Sequence, residues 1–180
     1  MIILITGPTH SGKTVLAQKL IEQYHYACFS MDHLKMGLIR SGVTALTPED
    51  DDELTAFLWP IVREIMKTAI ENDQNLIIEG CYVPYDWRQD LGEPYQSSVV
   101  FFCLAMTDNY IGRHFDRIKE HASDIESRMD DSYCTMDLLK MENRKYREGF
   151  GEAGEKVVLI DDDYEQTITT ALQEEMKGLL

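Results

Sequence analysis

Residues 7–14 read Gly-Pro-Thr-His-Ser-Gly-Lys-Thr, directly behind the apolar, β-branched run Ile2–Ile5. No other stretch constrains the fold as tightly. The octet fits G-x-x-x-x-G-K-[ST] at every defined position, and average residue usage makes a chance match in a chain this long about a half-percent event. From Lys13 the periodicity changes, with Val15, Leu16, Leu20 and Ile21 recurring at helical spacing as far as Tyr24. A buried strand, a glycine-bounded loop and a helix, in that order, turn backbone N–H groups and the positive helix end toward one point. Gly7, Pro8, Thr9, His10, Ser11, Gly12, Lys13 and Thr14 are therefore expected to cradle the phosphates of a nucleoside triphosphate. Lys13 would neutralise the β- and γ-phosphates, and the Thr14 hydroxyl would ligate Mg2+. A switch-type D-x-x-G and a guanine-reading N-K-x-D are both absent from the sequence, so a small ATP-dependent kinase is expected rather than a GTPase.

The rest of the chain continues the alternation. Apolar runs at Ala27–Ser30, Leu76–Glu79, Ser98–Leu104 and Val157–Ile160 are expected strands. Helices are expected from Asp32 to about Ser41, Asp108 to Glu120, Met136 to Glu148 and Glu165 to Leu179. A further long helix is expected to start at Thr47-Pro48-Glu49, with Thr47 as N-cap, and to run to about Asn72 past a potential kink at Trp59-Pro60. An aromatic loop fills Cys81 to Trp87, and a polar stretch runs from about Ala122 to Asp131. Five strands alternating with helices imply an α/β fold of three layers, a five-stranded parallel sheet with helices on both faces. Residues 1–180 read as a single domain, with a helical lid over about 113–147.

The formal charge of −15 excludes a broad basic face for duplex DNA or for an anionic membrane. It leaves room for a phosphorylated ligand, because a few focused cations override a distant acidic field. The four cysteines (Cys28, Cys81, Cys103, Cys134) show no C-x-x-C spacing, and three lie in apolar or glycine-flanked strand-like runs that suggest small buried hydrophobes. Neither a signal peptide nor an apolar run long enough to span a bilayer is evident, so a cytoplasmic protein in a reducing compartment is expected. Its expected partner is a small-molecule acceptor, with neither nucleic acid nor membrane, and its oligomeric state is open.

Candidate acceptor-side residues cluster after the second and third strands. In a parallel sheet the C-terminal strand ends share one crevice, so Asp32, in Ser30-Met31-Asp32, is placed to take a proton from an acceptor hydroxyl. As an alternative, or in addition, it caps the helix that follows. Lys35 would meet an anionic group of the acceptor, Glu79 would reach the same crevice, and Arg88 stands at its mouth beside Tyr82, Tyr85 and Trp87. Eight of the 17 basic residues fall between Arg113 and Arg147. Arg113 and Arg117 share one helix face, as do Lys140, Arg144 and Arg147. Folded over the phosphate loop, these arginines would stabilise charge on a transferring phosphoryl group; the alternative is a solvated helix carrying ion pairs.

The phosphate loop, Ser-x-Asp after strand two, Glu79-Gly80 after strand three, and Asp108-x4-Arg113-x3-Arg117 after strand four resemble the nucleoside-monophosphate-kinase-like group of small P-loop kinases. That group includes adenylate, shikimate and gluconate kinases, chloramphenicol phosphotransferase and zeta toxins. The resemblance implies MgATP as donor, a mobile lid that closes on both substrates, Arg113 and Arg117 as lid arginines on adenine and phosphates, and Asp32 as base. Adenylate kinases carry Asp-Gly-Phe-Pro-Arg after strand three, where this chain has Glu79-Gly80-Cys81-Tyr82-Val83. Val83 in place of the arginine favours a hydroxyl acceptor over a nucleoside monophosphate. The Leu46-Thr47-Pro48 stretch and the long helix are also similar to 2-phosphoglycerate-kinase-like sequences. Besides a small-molecule kinase, the alternatives are a nucleoside monophosphate kinase, a non-catalytic ATP-binding regulatory module, and a toxin-like kinase of sugar nucleotides.

Overall fold

The computed structural model describes residues 1–121 and 133–177; the expected polar stretch, Ala122 to Asp131, lies outside the described residues. Strands β1 (Ile2–Thr6), β2 (Ala27–Ser30), β3 (Leu76–Glu79), β4 (Val99–Met106) and β5 (Val157–Ile160) form one parallel sheet in the order β2-β3-β1-β4-β5. Between and after them run α1 (Lys13–Tyr24), α2 (Met31–Arg40), α3 (Asp51–Glu71), α4 (Trp87–Leu91), α5 (Asp108–His121), α6 (Met136–Glu152) and α7 (Tyr164–Glu175). Every residue of β1 and β4 is buried. Successive strand side chains point to opposite faces, so both faces of the sheet's centre are covered, as a parallel sheet requires.

The chain divides into two compact units, one of Met1–Thr6 with Ala17–Phe101, the other of Gly7–Leu16 with Phe102–Leu180. In the first, β3 pairs with β1 from Ile2↔Leu76 to Ile5↔Glu79 and with β2 from Ala27↔Leu76 to Ser30↔Glu79. Gly80 follows at once, and a Cβ on it would lie 2.5 Å from the Met31 Cβ. Only glycine lets the end of β3 pass so close to the start of α2. In the second unit, β4 pairs with β5 from Cys103↔Val157 to Met106↔Ile160. Met106, Ile111, Ile118, Cys134, Leu139 and Ile160 form its buried cluster. Asn143, 1% exposed, closes the end of β4 by accepting from the Met106 N–H (2.6 Å) and donating to the Leu139 carbonyl (2.7 Å). A buried amide satisfied on both sides in this way fixes where α6 meets the sheet.

Several boundaries differ from the expected ones. Helix α3 starts at Asp51, because the Asp50 carboxylate accepts from both the N–H and the hydroxyl of Thr47 (2.7 and 2.9 Å) and holds residues 47–50 in a turn. Pro60 lies inside α3 without dividing it. The short α4 and a 3-10 turn at Tyr95–Ser98 follow the aromatic loop, in a stretch for which no element was expected, and β4 runs two residues further, to Met106. Cys103 is buried as expected, whereas Cys28 is exposed on the edge strand β2 and Cys81 is half-buried; Cys134, outside the strand-like runs, is buried, and none of the four is in a disulfide.

Candidate active site

The phosphate loop joins β1 to α1 as the motif requires. Helix α1 closes its first intrahelical bond from the Leu16 N–H to the Gly12 carbonyl (3.0 Å), so the amides of Lys13, Thr14 and Val15 stand ahead of that ladder, at the positive end of the helix. Lys13 is 6% exposed and its Nζ donates to the Pro8 carbonyl at 2.8 Å, which folds the ammonium over the loop. The Ser11 Oγ is fully buried without a hydrogen-bond partner. Thr14 is half-buried in the first turn of α1. A buried cation, an orphaned hydroxyl and a helix N-terminus around one loop fit a phosphate chain with a Thr14-bound Mg2+. Among the described residues there is no cluster of three or more His, Cys, Asp or Glu side chains placed to hold a metal ion.

Two residues hold the loop in this shape that its motif does not name. Gly12 sits at φ +86°, and a Cβ there would lie 2.6 Å from the Tyr164 ring. The Tyr164 hydroxyl donates to the Gly12 carbonyl at 2.8 Å, and burial of that phenol raises its pKa well above the usual value. His10 adopts φ +61°, uncommon for a residue with a side chain; its Nδ1 lies 3.0 Å from Thr9 Oγ1 and 3.9 Å from Cys134 Sγ.

At the ends of β2 and β3, within the first unit, Glu79 is 3% exposed and Asp32 lies in the first turn of α2. Asp32 does not cap α2; Ser30 holds that position, and its own hydroxyl is buried and unpartnered. Asp32 Oδ1 instead binds Lys35 Nζ at 2.7 Å. The same ammonium donates to the Tyr82 hydroxyl at 2.9 Å, and Tyr82 in turn donates to Asp51 Oδ1 at 3.5 Å. Burial works against the charged lysine, yet the Asp32 charge and hydrogen bond outweigh it and raise the Lys35 pKa. Burial also raises the Tyr82 phenol, against the pull of Lys35. Arg88 stacks over the Trp87 ring, 4.4 Å from its centre, and Val83 is 4% exposed in the core.

The basic residues of the second unit divide among several partners. Helix α5 is broken at His114 (φ −124°), between Arg113 and Arg117. Arg113 donates to the Asp161 carbonyl (2.6 Å) and to Asp162 (3.2 Å), whereas Arg117 turns to His121 (3.4 Å). Arg144 pairs with Asp108 at the start of α5, and Arg147 lies 3.7 Å from Glu148. Sequence reasoning missed Tyr164 and Asp51 as site-shaping residues. Tyr164 had a signal, since it starts the helix after β5 and so stands at a C-terminal strand end.

No protein-family model matches the chain, and no curated protein sequence does. Solved structures do. A sugar kinase from Janibacter sp. HTCC2649 is 21% identical with a TM-score of 0.60, over 96% of this chain and 92% of that one. A gluconokinase from Sinorhizobium meliloti 1021 is 15% identical with a TM-score of 0.57, over 98% and 91%. A shikimate kinase from Aquifex aeolicus is 14% identical with a TM-score of 0.54, over 99% and 98%. The chain is therefore similar, over nearly its whole length and theirs, to the α/β fold of small P-loop kinases.

Proposed function

We propose that this chain is a kinase that transfers the γ-phosphoryl group of MgATP to a hydroxyl of a small-molecule acceptor, residues 1–180 acting as one catalytic domain. The observation that carries the reading is the phosphate loop itself, with buried Lys13 folded over it and the Ser11 hydroxyl left without a partner. Its setting in a fold shared with sugar, gluconate and shikimate kinases supports the same reading.

The acceptor oxygen attacks the γ-phosphorus in line, the bond from that phosphorus to the bridging oxygen breaks, and ADP leaves. The acceptor proton passes to the Asp32 carboxylate, which has one oxygen on Lys35 and a side chain 38% exposed. Lys13 exchanges the Pro8 carbonyl for phosphate oxygens, and Thr14 holds the metal. Bound MgATP supplies the phosphoryl group and, through its cation, neutralisation of the charge that develops on it.

Arg113 and Arg117 complete the charge balance from the lid side. The Arg113–Asp162 pair is 45% and 87% exposed, and such pairs contribute about 0–1 kcal/mol, so exchanging Asp162 for nucleotide oxygens costs little. Val83, buried where adenylate kinases carry a monophosphate-gripping arginine, supports a hydroxyl acceptor.

The test is ADP release from MgATP by the wild type and Lys13→Ala, with pools of sugars, polyols, nucleosides, hydroxy acids and nucleoside monophosphates. One pool should stimulate the wild type and leave the variant at background. If no pool stimulates while ATP still binds, the kinase reading is wrong and a nucleotide-binding module takes its place.

A further inference from the structure

Packing alone does not fix the Asp32 carboxylate. Its side chain is 38% exposed in the first turn of α2, and Lys35, one turn on, binds it at 2.7 Å. An ion pair at this spacing between two exposed side chains orders them only weakly. Lys35, however, is only 13% exposed, and its ammonium is also held from a second element. It donates to the Tyr82 hydroxyl at 2.9 Å and lies 5.2 Å from the centre of the Tyr82 ring.

Tyr82 is itself anchored. It is 4% exposed and lies three residues beyond Glu79, where β3 ends in register with β1 and β2. Gly80, between them, passes against Met31 at the start of the helix that carries Asp32 and Lys35. The phenol donates to Asp51 Oδ1 at 3.5 Å while accepting from Lys35, two roles that one hydroxyl fills together. Burial raises the Tyr82 pKa against the pull of Lys35, so the hydroxyl keeps its proton at neutral pH. The contacts therefore run from a buried anchor at the end of the sheet, through a nearly buried ammonium, to the more exposed Asp32 carboxylate.

On the basis of the proposed kinase activity, we infer that Tyr82 is a positioning residue: its hydroxyl fixes the Lys35 ammonium, and that ammonium orients the Asp32 carboxylate toward the acceptor proton. Without the hydroxyl, Lys35 keeps Asp32 as its partner but gains freedom to swing with it toward solvent. Displacing a catalytic group by about 1 Å costs up to about 100-fold in rate. The loss falls on kcat, because the orientation of the base matters in the transition state and not in substrate binding.

A mutant cycle tests this on the full chain with MgATP, using whichever of ribose, glycerol, gluconate, shikimate, adenosine or AMP best raises ADP release. Tyr82→Phe keeps the ring and should lower kcat by about 5–20-fold, with KM for acceptor and MgATP within about threefold of wild type. Lys35→Met should lower kcat at least as far. Adding Tyr82→Phe to it should change kcat by less than about twofold, because the phenol acts through the ammonium. Lys35→Arg retains a donor for each partner and should recover part of kcat. Urea midpoints establish that each variant is folded, and Lys35→Gln replaces Lys35→Met in the cycle if the latter is not. Losses that multiply in the double variant, a Tyr82→Phe kcat within about twofold of wild type, or a change confined to KM overturns the inference and leaves the kinase reading standing. Failure of every acceptor to raise ADP release above the Lys13→Ala background removes the kinase reading, and the inference with it.

Discussion

In the unit built from Gly7–Leu16 and Phe102–Leu180, the candidate chemistry rests on backbone. A loop with Gly12 at φ +86° and His10 at φ +61° wraps a buried lysine, and the side chains around it serve to keep that loop in shape. In the unit built from Met1–Thr6 and Ala17–Phe101 it rests on side chains. Asp32, Lys35, Tyr82 and Asp51 come from α2, the loop after β3 and α3, and hold one another by contacts of 2.7 to 3.5 Å. The two arrangements differ in what they tolerate. A backbone cradle recognises phosphate in any nucleotide and fails when its conformation is denied. A side-chain cluster can change one member at a time, which suits the half expected to choose the acceptor.

The largest effect should come from denying the loop its conformation. Gly12→Ala places a Cβ 2.6 Å from the Tyr164 ring at a φ of +86° that L side chains rarely adopt. ATP binding, measured by calorimetry, should be lost, with urea stability reduced by about 1–3 kcal/mol for the strained residue. ATP affinity within a few-fold of wild type would show that the cradle is less dependent on backbone than the comparison holds.

Asp32→Asn probes the other half. If Asp32 takes the acceptor proton, kcat should fall by about 10²–10⁴-fold, with the ATP dissociation constant nearly unchanged. An equal loss of ATP affinity would merge the two roles and break the division between donor and acceptor halves.

A smaller effect should come from Tyr164→Phe, which removes only the hydroxyl donated to the Gly12 carbonyl (2.8 Å). That carbonyl keeps the Leu16 N–H at 3.0 Å, so it is not orphaned. The loss is one hydrogen bond, worth about 1 kcal/mol and so about fivefold in ATP affinity, read as a rise in the dissociation constant.

The same division explains what was legible in the sequence. Strands β2, β3 and β5 lie at their expected bounds, and the loop and α1 follow the motif, because periodicity and glycine spacing are local properties. The start of α3 lies three residues later than expected, since Thr47 looks like an N-cap and only the structure shows it bound by Asp50. Helix α4, five residues long, is too short to show a period. The Lys35–Tyr82 bond spans 47 residues and the Tyr164–Gly12 bond spans 152. No spacing rule reaches across such separations. Lys35 thus reads in sequence as a free cation awaiting an anion, and in the structure as the partner of Asp32.

The smallest expected difference compares two carboxylates that pin helices together, one in each unit. Asp90 on α4 accepts from Trp59 Nε1 (2.7 Å) and Arg63 (2.8 Å) on α3; Asp108 on α5 accepts from Arg144 on α6. Slight burial opposes the charge of Asp90, but the bonds from Arg63 and Trp59 prevail and hold its pKa below the usual carboxylate value. Arg144 does the same for Asp108. With folded pKa values below the unfolded ones, both contributions are present above about pH 4 and fade as pH falls through the folded values. They differ in what a truncation leaves behind. Asp90→Ala strips the partner from the indole N–H of Trp59, a residue 4% exposed, whereas Asp108→Ala frees an arginine side chain that is 52% exposed. Urea unfolding at pH 7 should therefore show a loss of about 1–3 kcal/mol for Asp90→Ala and of about 1 kcal/mol or less for Asp108→Ala. The gap should narrow toward pH 3 as the wild-type carboxylates take up protons. Equal losses at pH 7 would mean that the Trp59 bond adds nothing beyond an exposed ion pair, and that the helices of the acceptor-side unit are pinned no more firmly than those beside the phosphate loop.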